Sequence, residues 1–337
     1  MNTGIVVYPV PVALHTCGRM IARALRLEHG ANAGPLFHVA CYLGLLTFTL
    51  ICPVLASPFL SVPVLILLML LNYSVTIGVL HMHAHRPLFL DARANRIMDL
   101  LCCFPSCVSA AEMHTVHVVN HHRFDDGPGD ITSTIGYERG WRAIWYWLRY
   151  AYIVRRATVR YLFAPYAWER RRSRRQGFVI DLALVLTTTA ALTAAFPVRM
   201  LIFYWLPLVV TPLTSGYFAW LTHAPARGFD DGDDGLGSIN TVGNFLNFFI
   251  FNQGYHSVHH RFPGIHWTEI PDKLRYMLAV EPDLIVPYWV TLHSAWRIAA
   301  PDRFRNRRYG LHWQSRLERR LAGGSARSRV LPWFAWI

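Results

Sequence analysis

The sequence predicts an all-α integral membrane protein with four transmembrane helices and a cytoplasmic helical cap. Three observations predict this class: four long apolar stretches, arginines concentrated between and beyond them, and three histidine clusters next to them. About twenty consecutive apolar residues are enough to cross a bilayer core as a helix. Hydrophobic residues make up 53% of the 337-residue chain, which favours a membrane protein over a soluble enzyme.

The four apolar stretches form two pairs, each joined by a short link with little charge. The first pair covers roughly 37–56 and 59–80, and the second covers roughly 178–196 and 200–221. The long segments outside the pairs carry most of the arginines. The positive-inside rule therefore places both termini and the long segments in the cytoplasm.

The remaining composition narrows the partners of the chain. The formal net charge is +13, and nearly all of the positively charged residues are arginines. This charge suits an anionic membrane surface, and no nucleic-acid motif is present. The six cysteines include no C-x-x-C pair, so neither a disulfide framework nor an iron–sulfur cluster is expected. Residues 141–168 interleave Trp, Tyr and Arg, which predicts an interfacial helix. Residues 97–113 are apolar but interrupted by Pro105, which favours a re-entrant or interfacial segment.

Three short clusters of histidines, called boxes here, contain the candidate metal ligands. The first box is 81–85, the second is 117–122 and the third is 256–260. On an α-helix, positions i, i+3 and i+4 share a face. This period brings together His81 with His85, and His117 with His121, while His122 points about 100° further round. The histidines of the third box project together, and all three boxes fall on the predicted cytoplasmic side.

The number of imidazoles indicates the metal. The boxes contain no thiolate, which argues against structural zinc, and a catalytic zinc site needs only three protein ligands. Bis-histidine haem would leave most of the histidines unexplained. Two iron ions in an all-imidazole shell account for the count best, and iron with open positions activates O₂.

The boxes resemble those of the integral-membrane fatty acid desaturase superfamily, which includes hydroxylases and ketolases. The matching pattern is H-x-x-x-H, H-x-x-x-H-H and H-x-x-H-H, with two spans between the second and third boxes. The resemblance covers roughly residues 37–285, the predicted membrane domain. We expect 1–36 to be a cytoplasmic or interfacial N-terminal segment and 286–337 to be a C-terminal helix and basic tail. It implies a non-haem di-iron centre and one further histidine after the fourth span, where His223 stands. The implied ligands are His81, His85, His117, His121, His122, His223, His256, His259 and His260.

Outer residues would orient these ligands, because a ligating histidine usually donates its other N–H to a carboxylate or carbonyl. The expected outer residues are His114, Asp130, Asn252 and Tyr255. Two features depart from the family pattern. Ala219 stands where some acyl-CoA members have an asparagine, and the second box has three intervening residues, as in alkane hydroxylases, where many desaturases have two.

The sequence thus predicts an O₂-dependent fatty acyl desaturase that acts on an acyl chain linked to CoA, acyl carrier protein or a lipid. No haem or ferredoxin motif is present, so a separate electron donor of ferredoxin, rubredoxin or cytochrome b5 type is expected. Hydroxylation or ketone formation at the same centre is one alternative, and an acetylenic product stays open. Transition-metal transport is the non-enzymatic alternative, although transporters usually place polar ligands near mid-membrane.

Overall fold

The computed structural model describes residues 12–137, 140–165, 171–224, 238, 240–242, 244–274 and 285–287. The expected C-terminal tail, 286–337, lies outside the described residues apart from its first two. The chain divides into two compact units. The larger unit holds the described residues between 10 and 123 and between 147 and 216. The smaller unit holds those between 124 and 146 and from 217 onward.

Helices dominate the described residues, which confirms the predicted all-α class. The α-helices are α1 (Val12–Leu25), α2 (Ala33–Ile51), α3 (Pro58–Tyr73), α4 (His81–His85), α5 (Ala92–Ser106), α6 (Ala110–Met113), α7 (His122–Phe124), α8 (Gly140–Leu162), α9 (Arg172–Ala195), α10 (Pro197–Met200), α11 (Leu206–His223), α12 (Asn244–Phe249) and α13 (His256–Arg261). Short 3₁₀-helices cover Gly30–Asn32 and Val54–Ala56. Two three-residue strands, β1 (Asn240–Val242) and β2 (Ile285–Pro287), pair in parallel.

Four helices in the described part of the chain are long and apolar enough to cross a membrane. They are Gly30–Ile51, Pro58–His85, Arg172–Ala195 and Pro197–His223. All four predicted spans are confirmed as helices, which is the structure that satisfies every backbone polar group within hydrocarbon. The second and fourth extend beyond their apolar stretches and end on histidines. His85 and His223 therefore lie at the ends of two candidate membrane-spanning helices.

Within the described residues, three segments are wound as π-helix rather than α-helix: Ser74–Leu80, His114–His121 and Leu201–Trp205. The first leads directly into α4, and the second carries most of the second box. A π-helix bonds residue i to i+5 and is rare, and it frequently marks a functional site. Two of the three segments thus adjoin the histidine boxes.

Polar contacts inside the larger unit fix α5 against the spans. The Asn72 side chain on α3 donates to the carbonyl oxygen of Pro105 at 2.7 Å and accepts from the Thr211 hydroxyl at 2.7 Å. Arg96 on α5 lies 2.5 Å from the carboxylate of Asp181, which is buried in the third span. Charged groups within spans are usually paired in this way. Because α5 leads into α6 and the second box, these contacts also position the box.

Helix α8 corresponds to the predicted interfacial segment and presents large apolar side chains outward. Trp141, Trp145, Leu148 and Tyr152 are between 57% and 84% exposed. Their spacing of i, i+4, i+7 and i+11 places them on one stripe of the helix. Tryptophan and tyrosine are enriched at membrane interfaces. The exposed stripe supports the interfacial location, which stays a prediction.

The smaller unit is built around α13, the helix of the third box. Tyr255, Val258, Ile270 and Leu274 form a buried apolar cluster. The Asn240 side chain accepts from the backbone N–H of Ser257 at 3.0 Å and donates to the Ser257 hydroxyl at 2.7 Å. The apolar cluster and the asparagine hold α13 in a fixed position within its unit.

Candidate metal centre

The first box lies on α4, where His81 has a defined protonation pattern. Its Nδ1 lies 3.2 Å from the backbone carbonyl oxygen of Ile77. A carbonyl oxygen only accepts hydrogen bonds, so Nδ1 carries the proton and Nε2 keeps its lone pair. That Nε2 lies 2.5 Å from the Nε2 of His117 in the second box. The Nε2 atom of His81 is therefore the nitrogen that could bind a metal.

The pairing within the second box differs from the α-helical prediction. His117 and His122 face each other, with 2.9 Å between their Nε2 atoms and 4.5 Å between ring centroids. The ring of His121 lies further from that of His117, at 5.2 Å. The reason is the π-helical winding of His114–His121, which brings residues i and i+5 to one face. The rings of His121 and His122 lie 6.0 Å apart, with an angle of 67° between their planes.

These contacts form a first histidine group in the larger unit. Its members are His81, His85, His117 and His122, whose ligand nitrogens all lie within 4.8 Å of one another. The His85 ring lies 4.6 Å from that of His122 and 5.0 Å from that of His117. Burial, reinforced by the neighbouring imidazoles, lowers the pKa of His117 well below 6.5. The imidazole is therefore neutral at physiological pH, which is the form that binds metals.

A second histidine group forms in the smaller unit. Its members are His223, His256 and His260, again with ligand nitrogens within 4.8 Å of one another. The Nε2 of His256 lies 2.9 Å from that of His223 and 3.1 Å from that of His260. His223 stands at the end of α11 and His256 begins α13. The histidine expected after the fourth span therefore does meet the third box.

The two remaining predicted ligands lie beside these groups. His121 is buried in the larger unit, next to His117 in the second box. His259 is buried in the smaller unit, with ring centroids 5.9 Å from His256 and 5.8 Å from His260. Their roles as ligands stay predictions.

A carboxylate lies against the second group, and it comes from Asp125. Its Oδ1 is 2.8 Å from the Nδ1 of His260. The sequence pointed to Asp130 as the outer carboxylate, but Asp130 accepts from the backbone N–H groups of Asp126 at 3.0 Å and Thr132 at 2.7 Å. Both aspartates follow the second box in an acidic stretch, and spacing alone does not distinguish them. That Asp130 orients a ligand stays a prediction.

The other expected outer residues occupy varied positions. The Nε2 of His114 lies 3.3 Å from an Arg174 nitrogen, and burial followed by the charge of Arg174 lowers the pKa of His114. Asn252 donates from its side chain to the carbonyl oxygen of Trp267 at 3.0 Å. Tyr255 precedes α13 within the buried apolar cluster. That these residues orient ligands stays a prediction.

His83, the middle histidine of the first box, belongs to neither histidine group. Its Nδ1 accepts the backbone N–H of Leu88 at 3.1 Å, and its Nε2 lies 3.2 Å from the carboxylate of Asp99. Both ring nitrogens thus have partners within the larger unit. His83 is a structural histidine that fixes the turn after the first box.

The donor chemistry of both groups fits a transition metal. Within each group, Nε2 atoms approach one another to 2.5–3.1 Å. In the first group, Nε2 of His81 directs its lone pair toward Nε2 of His117. A cation between such nitrogen atoms would stabilise them, because it removes the repulsion between their lone pairs. An imidazole set without thiolates suits iron, copper or zinc. Each group therefore has the residues to hold one metal ion.

A comparison with protein family models shows which family the chain belongs to. Residues 56–292 match the family model for fatty acid desaturases, which is well over half of the chain. The matched range contains all three boxes and His223. No curated protein sequence matches the chain significantly. Given the match, the four apolar helices and the two histidine groups, the chain belongs to the fatty acid desaturase family.

Proposed function

We propose that the protein is an oxygen-dependent membrane fatty acyl desaturase with two iron ions as its cofactor. Family membership supports a membrane oxidoreductase of the desaturase and hydroxylase type. The observation that carries the proposal is the gathering of seven imidazoles into two compact groups. Two separate groups suit two metal ions, whereas a single zinc ion or a haem would leave several imidazoles unused.

The two groups would each hold one iron, with His121 and His259 completing the nine predicted ligands. When bound, paired iron ions of this kind activate O₂ for attack on an unactivated C–H bond. The protein's own contribution is to bind and orient. His81 keeps Nε2 available by donating its other N–H to Ile77, and Asp125 lies against His260 in the same relation.

The substrate and partners follow from the family and the apolar spans. A fatty acyl chain, carried by CoA, acyl carrier protein or a lipid, would be held so that two adjacent carbons meet the irons, since positioning decides which bond reacts. A separate donor of ferredoxin, rubredoxin or cytochrome b5 type would supply two electrons per turnover. O₂ would be the co-substrate, and the bilayer would deliver the chain.

Hydroxylation or ketone formation is the second candidate function. The three-residue spacing in the second box favours it, because alkane hydroxylases share that spacing. The metal ligands would be unchanged. Only the fate of the activated carbon would differ, since loss of a second hydrogen gives a double bond and gain of oxygen gives an alcohol.

Product analysis distinguishes the two functions. We expect the protein, expressed with a reductase system in a host of known fatty acid content, to yield acyl chains that have lost two hydrogens. Mass spectrometry of the extracted lipids measures this directly, and a His256→Ala variant controls for host enzymes. Chains that gain one oxygen atom instead would assign the protein to the hydroxylases.

We further propose that both termini and the histidine boxes face the cytoplasm, because the arginines are concentrated in the segments that carry them. Ser57 lies in the link between the first two spans, and Arg142 lies on α8. A cysteine at Ser57 should react with a membrane-impermeant maleimide in intact cells, whereas one at Arg142 should react only after permeabilisation. The unmodified chain measures labelling of native cysteines, and the reverse pattern would invert the topology.

A further inference from the structure

We propose that Asp125 is a positioning residue that fixes the orientation of His260 at the metal, held in place by a loop that two other aspartates lock. The inference rests on the proposed di-iron function and concerns residues 124–134, directly after the second box. Three features support the inference: the contact between Asp125 and His260, the backbone conformation of the loop, and the hydrogen bonds that maintain that conformation.

The contact leaves His260 with one nitrogen for a metal. The carboxylate of Asp125 lies 2.8 Å from Nδ1, while Nε2 lies 3.1 Å from the Nε2 of His256. A carboxylate oxygen accepts, so it favours the tautomer with the proton on Nδ1. Nε2 then keeps its lone pair and points into the second histidine group. The carboxylate also makes the imidazole a stronger base and fixes its ring plane.

The backbone at this contact is strained. Asp125 and Asp126 have φ angles of +42° and +61°, which place two successive residues with side chains in the left-handed region. Such conformations are unfavourable for residues with side chains and persist only where the surroundings enforce them. They turn the chain sharply after α7 and set the direction of the Asp125 side chain.

The loop is enforced by its own aspartates. The carboxylate of Asp126 accepts the backbone N–H of Thr134 at 2.5 Å and the Thr134 hydroxyl at 2.7 Å. Asp130 accepts the backbone N–H of Asp126 at 3.0 Å, and also the N–H and hydroxyl of Thr132 at 2.7 and 2.8 Å. Hydrogen bonds to charged acceptors are stronger than neutral ones. The carboxylates of Asp126 and Asp130 therefore accept hydrogen bonds from the loop itself and hold its backbone in place.

Close packing explains the glycines of the same loop. A Cβ atom on Gly127 would lie 2.6 Å from the carbonyl oxygen of Phe124, and one on Gly129 would lie 2.5 Å from the Phe124 ring. The Tyr146 hydroxyl donates to the carbonyl oxygen of Thr132 at 2.6 Å and ties the loop to α8. The loop is thus compact and held by its own hydrogen bonds, and Asp125 is its residue that contacts His260.

The test measures metal retention rather than turnover. The purified proteins would be Asp125→Asn, which is isosteric, Asp125→Ala, and the exposed control Asp272→Asn. Each is loaded with Fe²⁺ without oxygen and transferred to excess chelator. We expect one of the two irons to be bound about 10- to 100-fold more weakly in both Asp125 variants. Mössbauer spectra should show one iron signal displaced and the other unchanged, with wild-type behaviour for Asp272→Asn.

A double-mutant cycle separates positioning from a general structural effect. In a His260→Ala background, Asp125→Asn should produce no further loss of iron, because the residue through which it acts is absent. The thermal midpoint of Asp125→Asn should stay near that of the wild type. Wild-type iron retention in both Asp125 variants would overturn the proposal, and so would equal loss of both irons together with a lowered midpoint.

The proposal can be tested apart from the overall function. Co²⁺ titrations followed by visible absorption report on the same imidazoles in the absence of O₂, electron donor and substrate. If the wild type binds Co²⁺ and Asp125→Asn weakens one site, the positioning role stands even when no desaturated or hydroxylated product forms. If the wild type binds neither Fe²⁺ nor Co²⁺, the proposed di-iron function itself fails.

Discussion

Replacing His117 with alanine is expected to abolish activity and to remove metal from the first histidine group. Its Nε2 lies 2.5 Å from that of His81 and 2.9 Å from that of His122, so it is the common neighbour of both. Loss of an outer partner of a metal ligand costs about 10- to 100-fold in metal affinity or activity, and loss of a central ligand should exceed that. The protein should retain about one iron per chain, as measured by elemental analysis, and turnover should fall below detection.

A second histidine provides the matched control for this experiment. His29 is exposed and lies in neither group, although its ring accepts the backbone N–H of Ala31 at 3.1 Å. His29→Ala should therefore keep the full iron content and activity of the wild type. Equal iron content in His117→Ala and His29→Ala would contradict the assignment of the first group as a metal site.

Replacing Arg155 with alanine is expected to cause the largest loss of stability outside the histidine groups. Arg155 on α8 donates from Nε to Glu112 at 2.8 Å, and its guanidinium also donates to the carbonyl oxygen of Cys107. The Glu112 side chain is only 1% exposed. Removing one partner of a buried pair leaves an uncompensated charge, and we expect a cost of about 3 kcal/mol because Arg155 is itself partly exposed.

The loss in Arg155→Ala should also depend on pH, with a defined sign. Burial raises the pKa of Glu112 above 4.5, and Arg155 opposes that rise. Without Arg155 the pKa rises further, so the folded state binds a proton that the unfolded state releases. Stability falls with increasing pH wherever the folded state binds more protons. The stability deficit relative to the wild type should therefore be smallest at low pH, where Glu112 is protonated in both folded proteins. It should grow as the pH rises above the folded-state pKa that Glu112 has in the wild type.

Thermal unfolding in detergent across a pH series measures this effect. Arg156 is the neighbouring arginine on α8 and is exposed, so Arg156→Ala removes the same charge without uncovering Glu112. We expect Arg156→Ala to follow the wild type at every pH. A deficit in Arg155→Ala that stays constant with pH would mean that the carbonyl contact to Cys107, rather than the charge of Glu112, carries the stabilisation.

The spans could be predicted from sequence because hydrocarbon enforces them. A backbone without water must bond internally, so about twenty apolar residues imply a helix whatever their packing. The extension of the second span through His85 was less visible, because hydropathy falls at the first histidine while the helix continues. His223 was predictable only from the family resemblance, since one histidine after a span has no distinctive spacing.

The details of the centre depended on features that sequence patterns do not encode. Asp125 rather than Asp130 contacts a histidine of the third box, and this contact goes with two left-handed backbone residues and the hydrogen bonds of a loop, which are three-dimensional features. The partner of His117 depends on helical winding, and α-helical and π-helical turns have similar local composition. The sequence could therefore predict the histidines as candidate ligands, but it could not predict how they group.

The π-helical winding of the second box has a consequence for how such motifs are compared. A turn that bonds i to i+5 accommodates one more residue than a turn that bonds i to i+4. Across this turn the Nε2 atoms of His117 and His122 lie 2.9 Å apart, although an α-helix would turn residues i and i+5 to different faces. A helical wheel drawn with 3.6 residues per turn would therefore assign these two imidazoles to different sites. A comparison of second boxes between proteins needs the winding of the helix as well as the number of intervening residues.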